Sequence, residues 1–172
     1  GTAAIDVGRK LGARVIAAAS GEAKLEYCRS RGADATIDYT RKDLKERAKA
    51  LTGGKGADVI YDAVGGDFAE PALRAIAWKG RYLVVGFASG TIPKIPLNLV
   101  LLKGCQIVGV FWGQFAMMDP EKNRKNGDKV FQWIEEGSLA PHVAETIPFD
   151  RASEALERLE SRKVMGKIVL LP

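Results

Sequence analysis

The chain has 172 residues, 47% of them hydrophobic and 27% charged, a composition that builds a soluble core and excludes a disordered or low-complexity protein. No apolar run reaches the roughly 18 residues that a membrane-spanning helix needs. The 26 basic residues exceed the 21 acidic ones for a net charge of +5. They are scattered along helices without interleaved aromatics, which argues against a nucleic-acid partner and suits a small anionic ligand.

In chain order, Thr2 to Leu11 reads as an amphipathic helix stopped at Gly12. "RVIAAA" (14–19) is a short buried strand, and Ser20 is placed to cap a helix from Glu22 to Arg31 that Gly32 ends. "ATIDY" (35–39) is a second strand, followed by a helix over 42–51 and the stop Gly53-Gly54. "ADVIYDAV" (57–64) is a third strand; after Gly65-Gly66 a helix is expected from Asp67 to Trp78, with Pro71 in its tolerant early turns. "RYLVVGF" (81–87) is a fourth strand, and a loop over 88–96 leads to a short apolar helix at 97–104. "CQIVGVF" (105–111) is a fifth strand, and "WGQFAMMDPEKNRKNG" (112–127) a polar connection into a helix over 128–137. Beyond a boundary near Gly137 come a strand (142–149), a helix (150–161) and a strand (166–171). Apolar strands alternating with helices and glycine punctuation predict a doubly wound parallel α/β sheet.

In such a sheet a ligand sits at the carboxyl ends of the strands. Gly1 opens a helix directly, as the last glycine of a GxGxxG-type phosphate turn does. The first strand ends Ala18-Ala19-Ser20, without the acid that accepts a ribose 2′-hydroxyl in NAD sites. Lys24 lies one helical turn further, and a hydroxyl with a cation in place of an acid suits a 2′-phosphate. Surface capping by Ser20 and a solvated Lys24 account for the same residues equally well. Tyr39 at the next strand end can flank an adenosine, and Gly65 and Gly86 allow close main-chain approach. Cys28 and Cys105 match neither a disulfide framework nor a metal motif, which suits a reducing, cytoplasmic setting; His142 reads as a surface or interface residue.

These segments together, "GTAAIDVGRKLGARVIAAAS" with Lys24, "GADATIDYTRKDL", "GADVIYDAVGG", "GRYLVVGFASG", "NLVLLKG" and "GKIVL", resemble the zeta-crystallin-like NADPH:quinone oxidoreductases. These are zinc-independent members of the medium-chain dehydrogenase/reductase superfamily. The resemblance implies an NADP(H)-binding Rossmann domain over residues 1–137 and a segment, 138–172, that returns to a GroES-like catalytic domain. It also implies that the first strand, most of the phosphate turn and that catalytic domain lie outside this sequence. Carried over by position, Ser20, Gly21 and Lys24 resemble the 2′-phosphate contacts and Tyr39 the adenosine-side tyrosine. Val64 and the turn Gly86, Phe87, Ala88, Ser89 resemble the wall under the nicotinamide ribose. Phe111, Trp112 and Gly113 resemble the strand-end segment that holds the carboxamide, and Lys167 a late residue returning to the cofactor.

The implied activity is hydride transfer from NADPH to a quinone or related carbonyl, without zinc and with no catalytic residue in this chain. The implied assembly is a homodimer joined through residues 105–111. Enoyl or alkenal reduction within the same superfamily, and a non-catalytic nucleotide-binding or structural role, are the competing expectations.

Overall fold

Helix and strand alternate along the chain. In the computed structural model, which describes residues 1–161 and 164–172, α1 (Thr2–Lys10) leads to β1 (Ile16–Ala19) and α2 (Glu22–Ser30) to β2 (Ala35–Asp38). Next, α3 (Leu44–Leu51) leads to β3 (Ala57–Asp62), and α4 (Ala69–Arg74) to β4 (Ile76–Val84). After α5 (Leu97–Lys103) come β5 (Gln106–Gly109), α6 (Trp112–Met118) and α7 (Pro120–Glu135). Last are β6 (Val143–Pro148), α8 (Ala152–Glu160) and β7 (Lys167–Leu171).

Every strand pair is parallel: β1 with β2, β3 with β4 with β5, and β6 with β7. Parallel neighbours need helical crossovers, and α2, α4, α5 and α8 supply them. The result is the α/β class expected from the sequence. Among the described residues β1 and β3 share no ladder, so each keeps one free edge. Val59 and Tyr61, two residues apart on one face of β3, are 45% and 50% exposed. Tyr39, after β2, packs against Phe68, after β3, with ring centroids 4.4 Å apart and planes tilted by 46°. That contact brings the carboxyl ends of both sheets to one side.

The main core lies between α4, β4 and α5, where Ala69, Leu73, Ile76, Tyr82, Leu99 and Cys105 pack together. Burying a side chain such as Leu73 or Ile76 contributes about 1.5–3 kcal/mol.

Four local expectations are corrected. The helix expected to reach Trp78 stops at Arg74. Ala75, Ile76 and Ala77 are all at most 1% exposed, and three consecutive buried residues leave a surface helix no polar face. Ala75 ends α4 as its C-cap and Ile76 and Ala77 begin β4, where Asp58 alone answers residues 77–80 in a bulge. Ser20 is not a helix cap: Gly21, at φ +78°, holds that position without any side-chain cap. The fifth strand stops at Gly109, so Phe111 caps α6 while Trp112 and Gly113 lie in its first turn. The polar connection over 112–127 is helical. Its polar residues are good helix formers, and Asp119 starts α7 by accepting a hydrogen bond from the Lys122 amide, with Pro120 at the first helical position.

Candidate functional site

The carboxyl edge of the strands carries most of the residues singled out from the sequence. Gly1 caps α1 and its carbonyl accepts from the Ala4 amide at 3.0 Å; a side chain there would meet nothing within 4 Å. Ser20 and Gly21 form the turn from β1 into α2, and half-buried Lys24 lies in that helix's first turn. Both acids of α2, Glu22 and Glu26, pair with Arg29 at 2.7 Å, so neither is engaged by Lys24.

A carboxylate that the sequence reading passed over organises this turn. Asp38, the last residue of β2, stands opposite Ala19 in the ladder. Its Oδ1 accepts from the Thr40 hydroxyl at 2.6 Å and the Thr40 amide at 3.0 Å. Those bonds, with smaller contributions from the Gly21 main chain and the Arg41 charge, hold its carboxyl below the usual aspartate range. Only 10% of the side chain is exposed, so this acid serves the turn and is not presented to a ribose.

On the other sheet, two turns are laced together. The Val85 amide donates to the Asp62 carbonyl at 2.8 Å, Ala88 to Ala63 at 3.1 Å and Ser89 to Val64 at 3.0 Å. Val64 and Phe87 remain 39% and 41% exposed on this surface. Gly65, at φ +67°, is small for an internal reason: a Cβ there would stand 2.8 Å from Phe87 Cδ1. The expected close approach to a ligand is therefore taken up by the protein's own ring. Gly86 has room, with only the Ala63 carbonyl at 3.5 Å from an added Cβ.

The structure thus brings together Val64 and residues 86–89, and sets Tyr39 against Phe68. Phe111 and Trp112 are 73% and 68% exposed, with the Trp112 indole N–H donating to Asn123 Oδ1 at 3.0 Å. Lys167 stands apart from the strand-end turns, in the β6–β7 sheet, where its amide donates to the His142 carbonyl at 3.1 Å. Both missed acids, Asp38 and Asp62, were readable as aspartates ending a strand before a turn, the Asx-turn pattern.

The zinc-binding dehydrogenase family matches residues 1–130. The chain belongs to that family. Within it, the chain is 42% identical to a quinone oxidoreductase-like protein 2 homolog of Nematostella vectensis, over 99% of this chain and 47% of that protein. An Escherichia coli quinone oxidoreductase solved in complex with NADPH superposes with a TM-score of 0.88 at 29% identity, covering 100% of this chain and 53% of that one. A solved NAD-dependent alcohol dehydrogenase gives a TM-score of 0.85 at 35% identity, covering 99% of this chain and 47% of that one. The chain spans about half the length of the curated relatives it matches. These likenesses bear out the medium-chain, quinone oxidoreductase-type resemblance read from the motifs.

The family's description invokes zinc, and the donor set in this chain does not fit it. Among the described residues no group of three or more His, Cys, Asp or Glu side chains converges. Cys28 and Cys105 are both buried, and burial raises the Cys28 thiol above its ordinary range. His142 lies against Tyr27, ring centroids 5.1 Å apart. Among the described residues no helix is long and apolar enough to cross a membrane.

Proposed function

We propose that this chain is the cofactor-binding part of an NADPH-dependent quinone oxidoreductase. Residues 1–137 form the NADP(H)-binding domain, and residues 138–172 return to a second domain. The observation that carries the reading is the end of β1: the acid opposite it in the ladder, Asp38, is engaged by the Thr40 hydroxyl and amide, while Glu22 and Glu26 pair with Arg29 and not with Lys24. A 2′-phosphate there meets the Ser20 hydroxyl, the Gly21 turn and the Lys24 ammonium.

Bound NADPH supplies a hydride, which with a proton reduces a quinone or related electron-poor carbonyl. The chain's own residues bind and orient. The α1 N-terminus at Gly1 faces the pyrophosphate, and Tyr39 flanks the adenosine. Val64 and Gly86, Phe87, Ala88 and Ser89 lie under the nicotinamide ribose. The Phe111–Gly113 main chain receives the carboxamide, while Lys167 stands apart from this edge, in the β6–β7 sheet. No catalytic side chain and no zinc step belong to these residues. The quinone oxidoreductase-like relatives support the substrate class, and the NADPH-bound E. coli structure supports the cofactor.

The NAD-dependent relative makes cofactor choice the sharpest test. Titration calorimetry on the full-length protein is expected to give NADPH at least a roughly tenfold advantage over NADH, the scale of one charge-assisted hydrogen bond. Lys24→Ala is expected to erase that advantage without weakening NADH. Equal affinities in the unsubstituted protein overturn the cofactor reading, and absence of NADPH-dependent quinone reduction overturns the activity.

A further inference from the structure

β4 carries a phenol into the main core. Tyr82 is 4% exposed and packs with Leu73, Ile76 and Leu99, where phenylalanine has the same shape and no hydroxyl to satisfy. A buried hydroxyl needs a partner. Tyr82 finds one across the ladder, donating to Asp62 Oδ2 at the last residue of β3. The other oxygen of that carboxylate accepts from the Val64 amide at 2.8 Å and the Gly65 amide at 3.0 Å. One aspartate therefore joins a side chain fixed in the core to the turn that leaves the sheet at its ligand edge.

The turn has little slack. Gly66 donates to the Thr91 carbonyl at 3.0 Å, and a Cβ on Gly66 would stand 2.7 Å from Ser89 Oγ. Through the Ala63 and Val64 carbonyls the same turn holds the amides of Ala88 and Ser89. Burial first, then the bond to Asp62 and its charge, push the Tyr82 phenol far above its ordinary range, so it stays a donor wherever the protein is folded.

We propose that Tyr82 and Asp62 are positioning residues for the nicotinamide half of the cofactor: the core phenol fixes the carboxylate, and the carboxylate fixes the turn that presents Val64. This rests on the reading of the edge as an NADPH site. A dinucleotide lies across the strand ends with its two halves on opposite sides of the crevice. The Ser20–Lys24 turn takes the adenosine side, and the Asp62–Ser89 turns lie under the other half.

The test uses the full-length protein and two ligands in titration calorimetry: NADPH, and adenosine 2′,5′-bisphosphate, which lacks the nicotinamide half. Tyr82→Phe is expected to weaken NADPH roughly three- to tenfold, the scale of one ordinary hydrogen bond, while the bisphosphate binds within about twofold of the unsubstituted protein. Asp62→Asn keeps an oxygen for the turn and offers an amide to the phenol oxygen, and is expected to bind NADPH within about twofold. Asp62→Ala is expected to lose at least as much as Tyr82→Phe, again for NADPH alone. Unchanged NADPH affinity in Tyr82→Phe overturns the role and leaves a hydroxyl merely satisfied. Equal weakening of both ligands also overturns it, since that marks general loosening. If the unsubstituted protein binds the bisphosphate and NADPH equally weakly, no nicotinamide half is held and the positioning role fails. If it binds neither, the cofactor reading fails with it.

Discussion

Gly65 and Gly86 look alike in the sequence, each a glycine just past a strand, and the structure separates them. Gly65 has φ +67°, and a Cβ would approach Phe87 Cδ1 to 2.8 Å and the Thr91 carbonyl to 3.3 Å. Gly65→Ala is therefore expected to destabilise by about 1–3 kcal/mol through strain and collision. Gly86→Ala places a Cβ at ordinary distance from the Ala63 carbonyl, 3.5 Å, and is expected to stay within about 0.5 kcal/mol of the parent. Urea unfolding of the two variants measures both; similar losses would show that the turn around Gly65 relaxes freely. At this scale the sequence marks which residues are special better than it says why. Ser20 has cap chemistry, but the chain reaches the cap one residue later, at Gly21. Asp38 and Asp62 have turn chemistry, and Thr40, two residues after Asp38, is a partner the sequence itself supplies, but Tyr82 is brought to Asp62 only by pairing between strands.

Element order was legible because the parallel strands are largely apolar runs, alternating with helices that glycines stop. Boundaries failed where two signals competed. Residues 75–77 continue the helical composition of α4, but the helix caps at Ala75 and buried Ile76 and Ala77 open β4. Residues 112–127 are polar enough for a loop, yet Asp119-Pro120 is a helix start. Removing that signal has a defined effect. Asp119→Ala deletes the acceptor for the Lys122 amide, 3.1 Å away, and is expected to destabilise by about 0.5–2 kcal/mol. The loss should appear as reduced helicity by circular dichroism and a lower Tm, with Asp119→Ser recovering most of it. An unchanged Tm in Asp119→Ala would place the start of α7 under the control of packing instead.

For the whole molecule, the edges of the sheets matter more than their faces. β5 ends the order β3-β4-β5, and among the described residues its outer edge has no strand partner. Ile107 within it and Val110 just after it are each 39% exposed. An unpaired apolar edge invites a second strand, and a two-fold axis lets one copy supply it to another. Light scattering on the full-length protein is expected to give a dimer, and Ile107→Lys a monomer; a monomeric unsubstituted protein at micromolar concentration overturns the homodimer. The edges inside the molecule have a different consequence. β1–β2 and β3–β4–β5 share no ladder among the described residues, so their union rests on side-chain joins. Tyr39 lies on Phe68, and Arg14 reaches the Leu51 carbonyl at 2.7 Å. Such joins can open without unzipping a single strand pair. Deuterium should therefore enter the amides of β1 and β2 through local openings, while those of β4, laddered on both sides, wait for the three-stranded unit to come apart.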